Sequence, residues 1–317
     1  MSRLALGIDI GGTKIIVGLV SETGQVIDEI ATAPTPARDG PAAILAQVAA
    51  MARIALSGQS DVSGIGVGSA GVFDSQGVVT SSTDILYGWA GTPVSSQLAE
   101  LCGYRVVTVN DVHAAAIGEG TVGAAVLATN AIIVTVGTGV GGALILNSRT
   151  YSGLSGVAGS VGHVSLSREP QLRCSCGQLG HAEPYASGPG MERDHLKRFA
   201  EDLSLREIAA RAAKGDTHAI ETLHRGATAL GEVLASTANI VDPDLIVIGG
   251  GVSSIGKYYL DIVRVAYRAR VMAGPSSTPI VAAQLGPPAT LIGAGLLALA
   301  TFSSQPSHPT SLGESPR

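Results

Sequence analysis

Four side chains that favour soft and borderline metal ions fall within one short stretch: His163, Cys174, Cys176 and His181. Two thiolates and two neutral imidazoles can close a tetrahedral Zn²⁺ site. Gly177 and Gly180 would let the backbone turn tightly around such an ion. The intervals match no ordinary zinc finger, so the ligand types carry this reading and the spacing does not. Glu183 follows directly and adds a carboxylate. A chain that is 45% hydrophobic has core enough to fold without a metal. A metal here would therefore pin a loop that serves something else.

Two glycine-rich stretches suggest what that is. Asp9-Ile10-Gly11-Gly12-Thr13-Lys14 and Gly137-Thr138-Gly139-Val140-Gly141-Gly142 each follow a run of apolar residues. Glycines with one Thr present bare N–H groups and a hydroxyl, the groups that bind an anion such as phosphate. Asp9 suits Mg²⁺, directly or through water, because hard cations prefer carboxylate oxygen. A single such loop reads first as a tight hairpin, which glycine serves equally well. Two in equivalent places, with Gly249-Gly250-Gly251 after a third apolar run, favour phosphate.

Asn110-Asp111 ends another apolar run, where open α/β sheets place their ligands. Asp111 there can take a proton from a substrate hydroxyl while Asn110 donates a hydrogen bond to the same molecule. The competing reading is an Asx helix cap, since Val-His-Ala-Ala-Ala follows. Beside the phosphate loops the base is favoured. Gly66-Val67-Gly68-Ser69-Ala70-Gly71 satisfies G-x-G-x-x-G, but no helical run follows, so it is not a dinucleotide site. Its glycines are expected to bring backbone close to a small ligand.

These residues need a frame. Periodicity predicts strands at Leu4–Ile8, Ile15–Val20, Val26–Ala31, Gly64–Gly68 and Val106–Val109, with helices over about 41–57, 93–102 and 112–120. A second series has strands at Ala131–Val136, Gly142–Leu146, Leu245–Ile248 and Pro279–Ala283. Its helices include one opened by the capping box Ser204-Leu-Arg-Glu207, and another capped by Asp216 whose Ile220, Leu223, Ala227, Leu230 and Leu234 share a face. Further helices are expected near 256–270 and 289–302. Strand, glycine turn and returning strand occur in both halves, which points to a duplicated α/β lobe with a cleft between. The expected division is an N-terminal lobe over 1–115 joined by the helix 289–302, a C-terminal lobe over 116–288 with the metal loop at 160–183, and a disordered Ser- and Pro-rich tail over 303–317.

Composition sets outer limits. With 317 residues, 14% charged, a net charge of −5 and no Lys/Arg run, the chain is not expected to bind nucleic acid or an anionic membrane. It reads straight into a strand with no basic-then-apolar leader, and no apolar run reaches the length of a membrane span. Three cysteines make a poor disulfide framework and fit a reducing, cytoplasmic setting.

Taken in combination, the first glycine loop, Asn110-Asp111, the second glycine loop, the Gly162-His163 and Cys174-X-Cys176-Gly-X-X-Gly segment and Gly249–Gly251 resemble the ROK family of sugar kinases and sugar-responsive repressors. The resemblance spans about residues 4 to 302. It implies a duplicated two-lobed actin/hexokinase-like (ribonuclease H-like) fold and a kinase that phosphorylates the 6-hydroxyl of a hexose or N-acylhexosamine with MgATP. Asp111 would be its general base. Gly11, Gly12, Thr13 and Lys14 would line the phosphates from one lobe, Thr138 and Gly139 from the other, and Gly249, Gly250 and Gly251 would flank the adenosine. Asn110, His163 and Glu183 would bind sugar hydroxyls, with Gly71 and Asp84 near the far side of the ring. His163 would also ligate a structural Zn²⁺ with Cys174, Cys176 and His181. The resemblance further implies a homo-oligomer, a dimer or tetramer.

The chain departs from the family's usual pattern at three places. His181 stands where a third Cys is usual, and Ser160 stands where the family has the Glu of Glu-X-Gly-His. That Glu reaches the hydroxyls around C1 and C2, so Ser160 implies a roomier or wetter pocket there. Ala70-Gly71 replaces Pro-Gly, and Asp84 replaces an Asn. The rival to a kinase is a non-catalytic sugar sensor; the repressor variant needs a helix-turn-helix ahead of the first strand, which this chain does not show.

Overall fold

The computed structural model describes residues 3–302, so the expectation for the tail at 303–317 lies outside the described residues. Two compact units emerge, one running to Thr121 and resuming at Pro288, the other from Val122 to Pro287.

In the first unit, β1 (Leu4–Ile10) and β2 (Lys14–Ser21) form an antiparallel hairpin that closes at the Ile10–Ile15 pair. β3 (Val26–Pro34) continues it; α1 (Pro41–Leu56) follows, and β4 (Val62–Ser69) lies parallel to β1 on its other side. A short ribbon of β5 (Val72–Phe73) and β6 (Val79–Ser81) lies in the stretch between β4 and the next helix, for which periodicity predicted no element. After α2 (Val94–Cys102) come β7 (Val106–Asn110) and α3 (Asp111–Val122). The sheet order is β3-β2-β1-β4-β7. Leu6, Ile8 and Ile10 of β1 pack with Ile44, Leu45 and Val48 of α1 in one buried cluster.

The second unit repeats the plan. β8 (Ala131–Val136) and β9 (Val140–Leu146) form the hairpin, β10 (Arg149–Tyr151) extends it, and a 3₁₀ turn covers Val161–His163. Then come α4 (Glu183–Ala186), α5 (Gly188–Phe199), α6 (Leu205–Ala212) and α7 (Thr217–Val241). β11 (Leu245–Gly249), α8 (Lys257–Arg268) and β12 (Ile280–Ala282) complete a sheet ordered β10-β9-β8-β11-β12. The capping box at Ser204 forms, and Asp216 accepts from the Ala219 N–H at the start of α7. Leu223, Ala227, Leu230 and Leu234 are fully buried, while Ala219 rather than Ile220 completes the buried face. α5 carries a start signal in Ser187, whose hydroxyl accepts from Gly190 N–H, with Pro189 in the first turn.

The chain closes with α9 (Ala289–Phe302), which packs on the first sheet. Here the glycines of β4 find their purpose. Gly64, Gly66 and Gly68 alternate onto one face of the strand. A Cβ on each would lie 2.4 Å from Phe302, 1.8 Å from the Ala294 carbonyl and 2.5 Å from Thr290. The expectation that Gly66 and Gly68 approach a small ligand is therefore corrected: they admit a helix. β5, not a helix, follows the motif, in line with its rejection as a dinucleotide site.

Candidate active site

The β1–β2 loop holds Asp9, Gly11, Gly12, Thr13 and Lys14 together. Gly11 N–H donates to Lys14 O at 3.0 Å, and Thr13 is exposed at the tip. Among the described residues, the N–H groups of Gly12 and Thr13 have no hydrogen-bond partner. Neither glycine has a left-handed φ. Space is what demands glycine: a Cβ on Gly12 would lie 2.2 Å from Ile85 Cγ2. Asp84, next to Ile85, is exposed.

Asp111 opens α3 at the end of β7, the half-buried edge strand of its sheet rather than the buried strand expected. Asn110, not Asp111, is the principal cap: its Oδ1 accepts from Val112 N–H (2.9 Å) and His113 N–H (3.3 Å). Its Nδ2 donates to Gly71 O at 3.0 Å, which brings two of the expected sugar-contact residues together. Asp111 Oδ1 accepts from Val112 N–H at 2.9 Å, and Thr290 Oγ1 donates to the Asp111 carbonyl at 3.3 Å. The Asn110 side chain and the N–H of Asp111 itself also hydrogen-bond its carboxyl. Burial raises the Asp111 carboxyl above its ordinary range, against the Val112 N–H that lowers it. Asp9 is raised to about 7, first by burial, then by the charge of Asp111, with Lys14 opposing. An acid raised both by burial and by a neighbouring carboxyl invites a cation.

The second unit holds the other group. Thr138 is exposed at the tip of the β8–β9 loop, and Gly137 N–H donates to Gly139 O at 2.9 Å. A Cβ on Gly139 would lie 2.7 Å from Glu183 Oε2, the oxygen that accepts from Val140 N–H at 3.3 Å. Gly188 N–H donates to Gly137 O at 2.9 Å, so the segment 183–188 braces this loop at two points. Gly249 pairs with Thr135, and Gly250, at φ 82°, stands so close to β8 that a Cβ would be 2.4 Å from Val136 O. Gly251 has open space around it. The expected phosphate and adenosine glycines of this unit are thus neighbours at the ends of β8 and β11.

His163, Cys174, Cys176 and His181 offer ligand atoms that all lie within 4.8 Å of one another. Cys174 Sγ is 3.5 Å from His163 Nδ1, and Cys176 Sγ is 3.3 Å from His181 Nδ1. Zinc bond lengths in a tetrahedron require such separations to be about 3.3–3.8 Å. The two S–N pairs meet this, and the four donor types fit zinc, while the widest pair, at up to 4.8 Å, would draw in on binding. A turn in which Gly177 N–H donates to Cys174 O, with Gly177 at φ 92°, shapes the loop. Burial first, and Glu183 nearby, push the Cys174 thiol up to about 11, so the thiolate a metal needs would form only with the metal. Ser175 Oγ donates to Glu183 Oε1 at 2.5 Å, tying the Cys/His loop to the carboxylate that braces Val140. Ser160 Oγ donates to Val157 O at 2.7 Å, just before the turn that carries His163. Sequence reasoning missed Ile85, Ser175 and the bracing role of Glu183, because none belongs to a local pattern.

A duplicated α/β fold, with one glycine hairpin in each unit and, beside the first, an acid raised by burial and by the charge of a second acid, belongs to the actin/hexokinase-like class. More narrowly, the chain belongs to the ROK family, whose model matches residues 5–301. It is 31% identical over 315 residues to a glucokinase of Halalkalibacterium halodurans, covering 93% of this chain and 94% of that one. It is likewise 31% identical over 298 residues to an N-acetylmannosamine kinase of Shigella boydii, covering 92% and 97%. Among solved structures, a ROK family glucokinase from Streptomyces griseus in complex with glucose and AMPPNP superposes with a TM-score of 0.82 at 32% identity, covering 94% of this chain and 99% of that one. Among the described residues, no helix is long and apolar enough to cross a membrane.

Proposed function

We propose that this chain is an ATP-dependent kinase that phosphorylates the 6-hydroxyl of a hexose or N-acylhexosamine. The observation that carries the reading is Asp111: a carboxyl at the start of α3 raised by burial, with Oδ1 anchored to Val112 N–H and Oδ2 not held by that N–H. That oxygen is suited to accept the 6-hydroxyl proton as the sugar oxygen attacks the γ-phosphorus and ADP departs. Asn110 and Gly71, already joined, would seat the sugar with Asp84, Ser160, His163 and Glu183. The free N–H groups of Gly12 and Thr13, with Gly11 and Lys14, would bind phosphate oxygens from the first unit; Thr138 and Gly139 would do so from the second. Gly249, Gly250 and Gly251 would flank the adenosine. Mg²⁺, when bound at Asp9 directly or through water, supplies neutralisation of the phosphate charge. The Cys/His loop would hold His163 and Glu183 at fixed separation; Nδ1 of His163 faces Cys174, which leaves Nε2 for the sugar.

Relatives named for glucose and for N-acetylmannosamine support the substrate class. The test is sugar-dependent ADP release by purified protein with MgATP and a panel of glucose, mannose, N-acetylglucosamine, N-acetylmannosamine and glucosamine. No release on any of them sinks the proposal. One observation favours a second reading, a non-catalytic sugar sensor: Ser160 is uncharged and turns its hydroxyl to its own backbone. Calorimetry with sugar binding but no nucleotide binding would decide for it.

A further inference from the structure

Thr35 lies just beyond β3, between Pro34 and Pro36, and belongs to none of the motifs considered so far. Its side chain is nonetheless turned onto the first glycine loop. Thr35 Oγ1 donates to Gly11 O at 2.7 Å, and Thr35 N–H donates to Thr13 O at 3.1 Å. The same short segment holds a second part of the loop's surroundings. Ala37 N–H donates to Thr35 O, and Ala37 O accepts from Tyr87 N–H, each at 2.8 Å. Tyr87 lies two residues beyond Ile85, whose Cγ2 fills the place a Gly12 side chain would take.

The consequence follows from peptide geometry. In a planar trans peptide the C=O and the next N–H point to opposite sides. With the Gly11 carbonyl held by Thr35, the Gly12 N–H must face away from Thr35, and that N–H has no partner among the described residues. Without the hydroxyl, the Gly11–Gly12 peptide has no side chain on either residue to resist a flip. Pro36 biases Thr35, the residue before it, toward extended backbone, and Pro34 fixes its own φ, so less conformational entropy opposes the placement of this segment.

We infer that Thr35 is a positioning residue for the nucleotide: its hydroxyl orients the Gly11–Gly12 peptide so that the Gly12 N–H presents itself to a phosphate oxygen. This rests on the proposed binding of MgATP at that loop. The test is Thr35→Val, which removes the donor at nearly constant shape, beside Thr35→Ser, which keeps it. MgATP affinity is measured by calorimetry without sugar, and KM for both substrates is measured on the most active sugar. Thr35→Val is expected to weaken MgATP and raise its KM about tenfold, the effect of one lost hydrogen bond. KM for sugar stays within twofold, and Thr35→Ser stays within twofold of wild type throughout. Unchanged MgATP affinity in Thr35→Val overturns the inference. So does an equal rise in both KM values, or a Thr35→Ser variant as impaired as Thr35→Val, since either marks a general packing defect. Wild-type protein that binds no MgATP overturns the functional reading beneath it, a result distinct from any of these.

Discussion

The two glycine hairpins share a plan and differ in what covers them. Each sits at the end of an antiparallel pair whose first strand has a parallel neighbour on its other side. Each exposes a Thr at its tip, Thr13 in one and Thr138 in the other. The position two residues before the first loop glycine is Asp9 in the first hairpin and Thr135 in the second. Neutral groups, the Thr35 hydroxyl and the Ile85 side chain, brace the first loop, beside two buried acids. A carboxylate, Glu183, braces the second, and Ser175 ties it to the Cys/His loop. The two hairpins thus share a frame and differ in setting: one lies beside two acids, and the other is linked to the Cys/His loop.

The largest test of this contrast is Asp111, the acid whose charge acts on Asp9 beside the first hairpin. Asp111→Asn is expected to lower kcat about 10³-fold, within the range of a lost general base. MgATP affinity, read by calorimetry, changes less than threefold. A smaller loss of kcat, or an equal loss of affinity, would make Asp111 a binding group instead. Next comes the metal loop. His181→Ala is expected to reduce bound zinc from about one per chain to a small fraction and kcat/KM about 30-fold, while His181→Cys keeps both. Metal analysis on the purified variants checks it, and a His181→Ala protein with full metal content would exclude His181 as a ligand.

The duplicated hairpins were legible because a strand, a glycine turn and a returning strand form a local pattern that sequence periodicity records. The ligand types at 163–181 were legible for the same reason. What brings the parts together was not. Thr35 meets Gly11 across 24 residues and Glu183 meets Val140 across 43, contacts that neither periodicity nor propensity encodes. The glycines of β4 were misread because alternation with α9 and approach to a ligand make the same demand for missing side chains. The helix cap, set below the base as the competing reading for Asn110-Asp111, does form, and on Asn110; Asn and Asp are equally good caps, so only the geometry separates them.

The glycines themselves distinguish the two covers. Gly12→Ala forces its Cβ onto the β-branch methyl of an aliphatic side chain, 2.2 Å from Ile85 Cγ2. It is expected to raise KM for MgATP about tenfold, an overpacking effect. Adding Ile85→Ala makes room and should restore KM to within threefold of wild type, a coupling read from the double-mutant cycle. Gly139→Ala meets a carboxylate oxygen instead, so pairing it with Glu183→Gln leaves an atom of equal size in place and should rescue nothing. Rescue in both pairs, or in neither, would mean that the covers are equivalent.

The smallest effect is on stability and belongs to Asp9. Its carboxyl titrates near 7 in the folded protein against 3.8 in an unfolded chain, because burial and the charge of Asp111 disfavour the ionised form. The folded state therefore binds the proton more tightly than the unfolded state does. That contribution is fully present below pH 3.8 and is lost as pH rises through 7. Asp9→Asn stays neutral and escapes the loss. Without ligands, it is expected to be more stable than wild type at pH 8 by on the order of 1 kcal/mol, after allowance for the solvent that reaches this half-buried group. The gap should close by about pH 4, where both side chains are neutral. Denaturant unfolding of the two proteins across pH measures it. In saturating Mg²⁺ the order at pH 8 should reverse, because only the wild-type carboxylate holds the ion. A difference independent of pH would show that Asp9 is ionised throughout, so that neither burial nor Asp111 disfavours its charge beside the first hairpin.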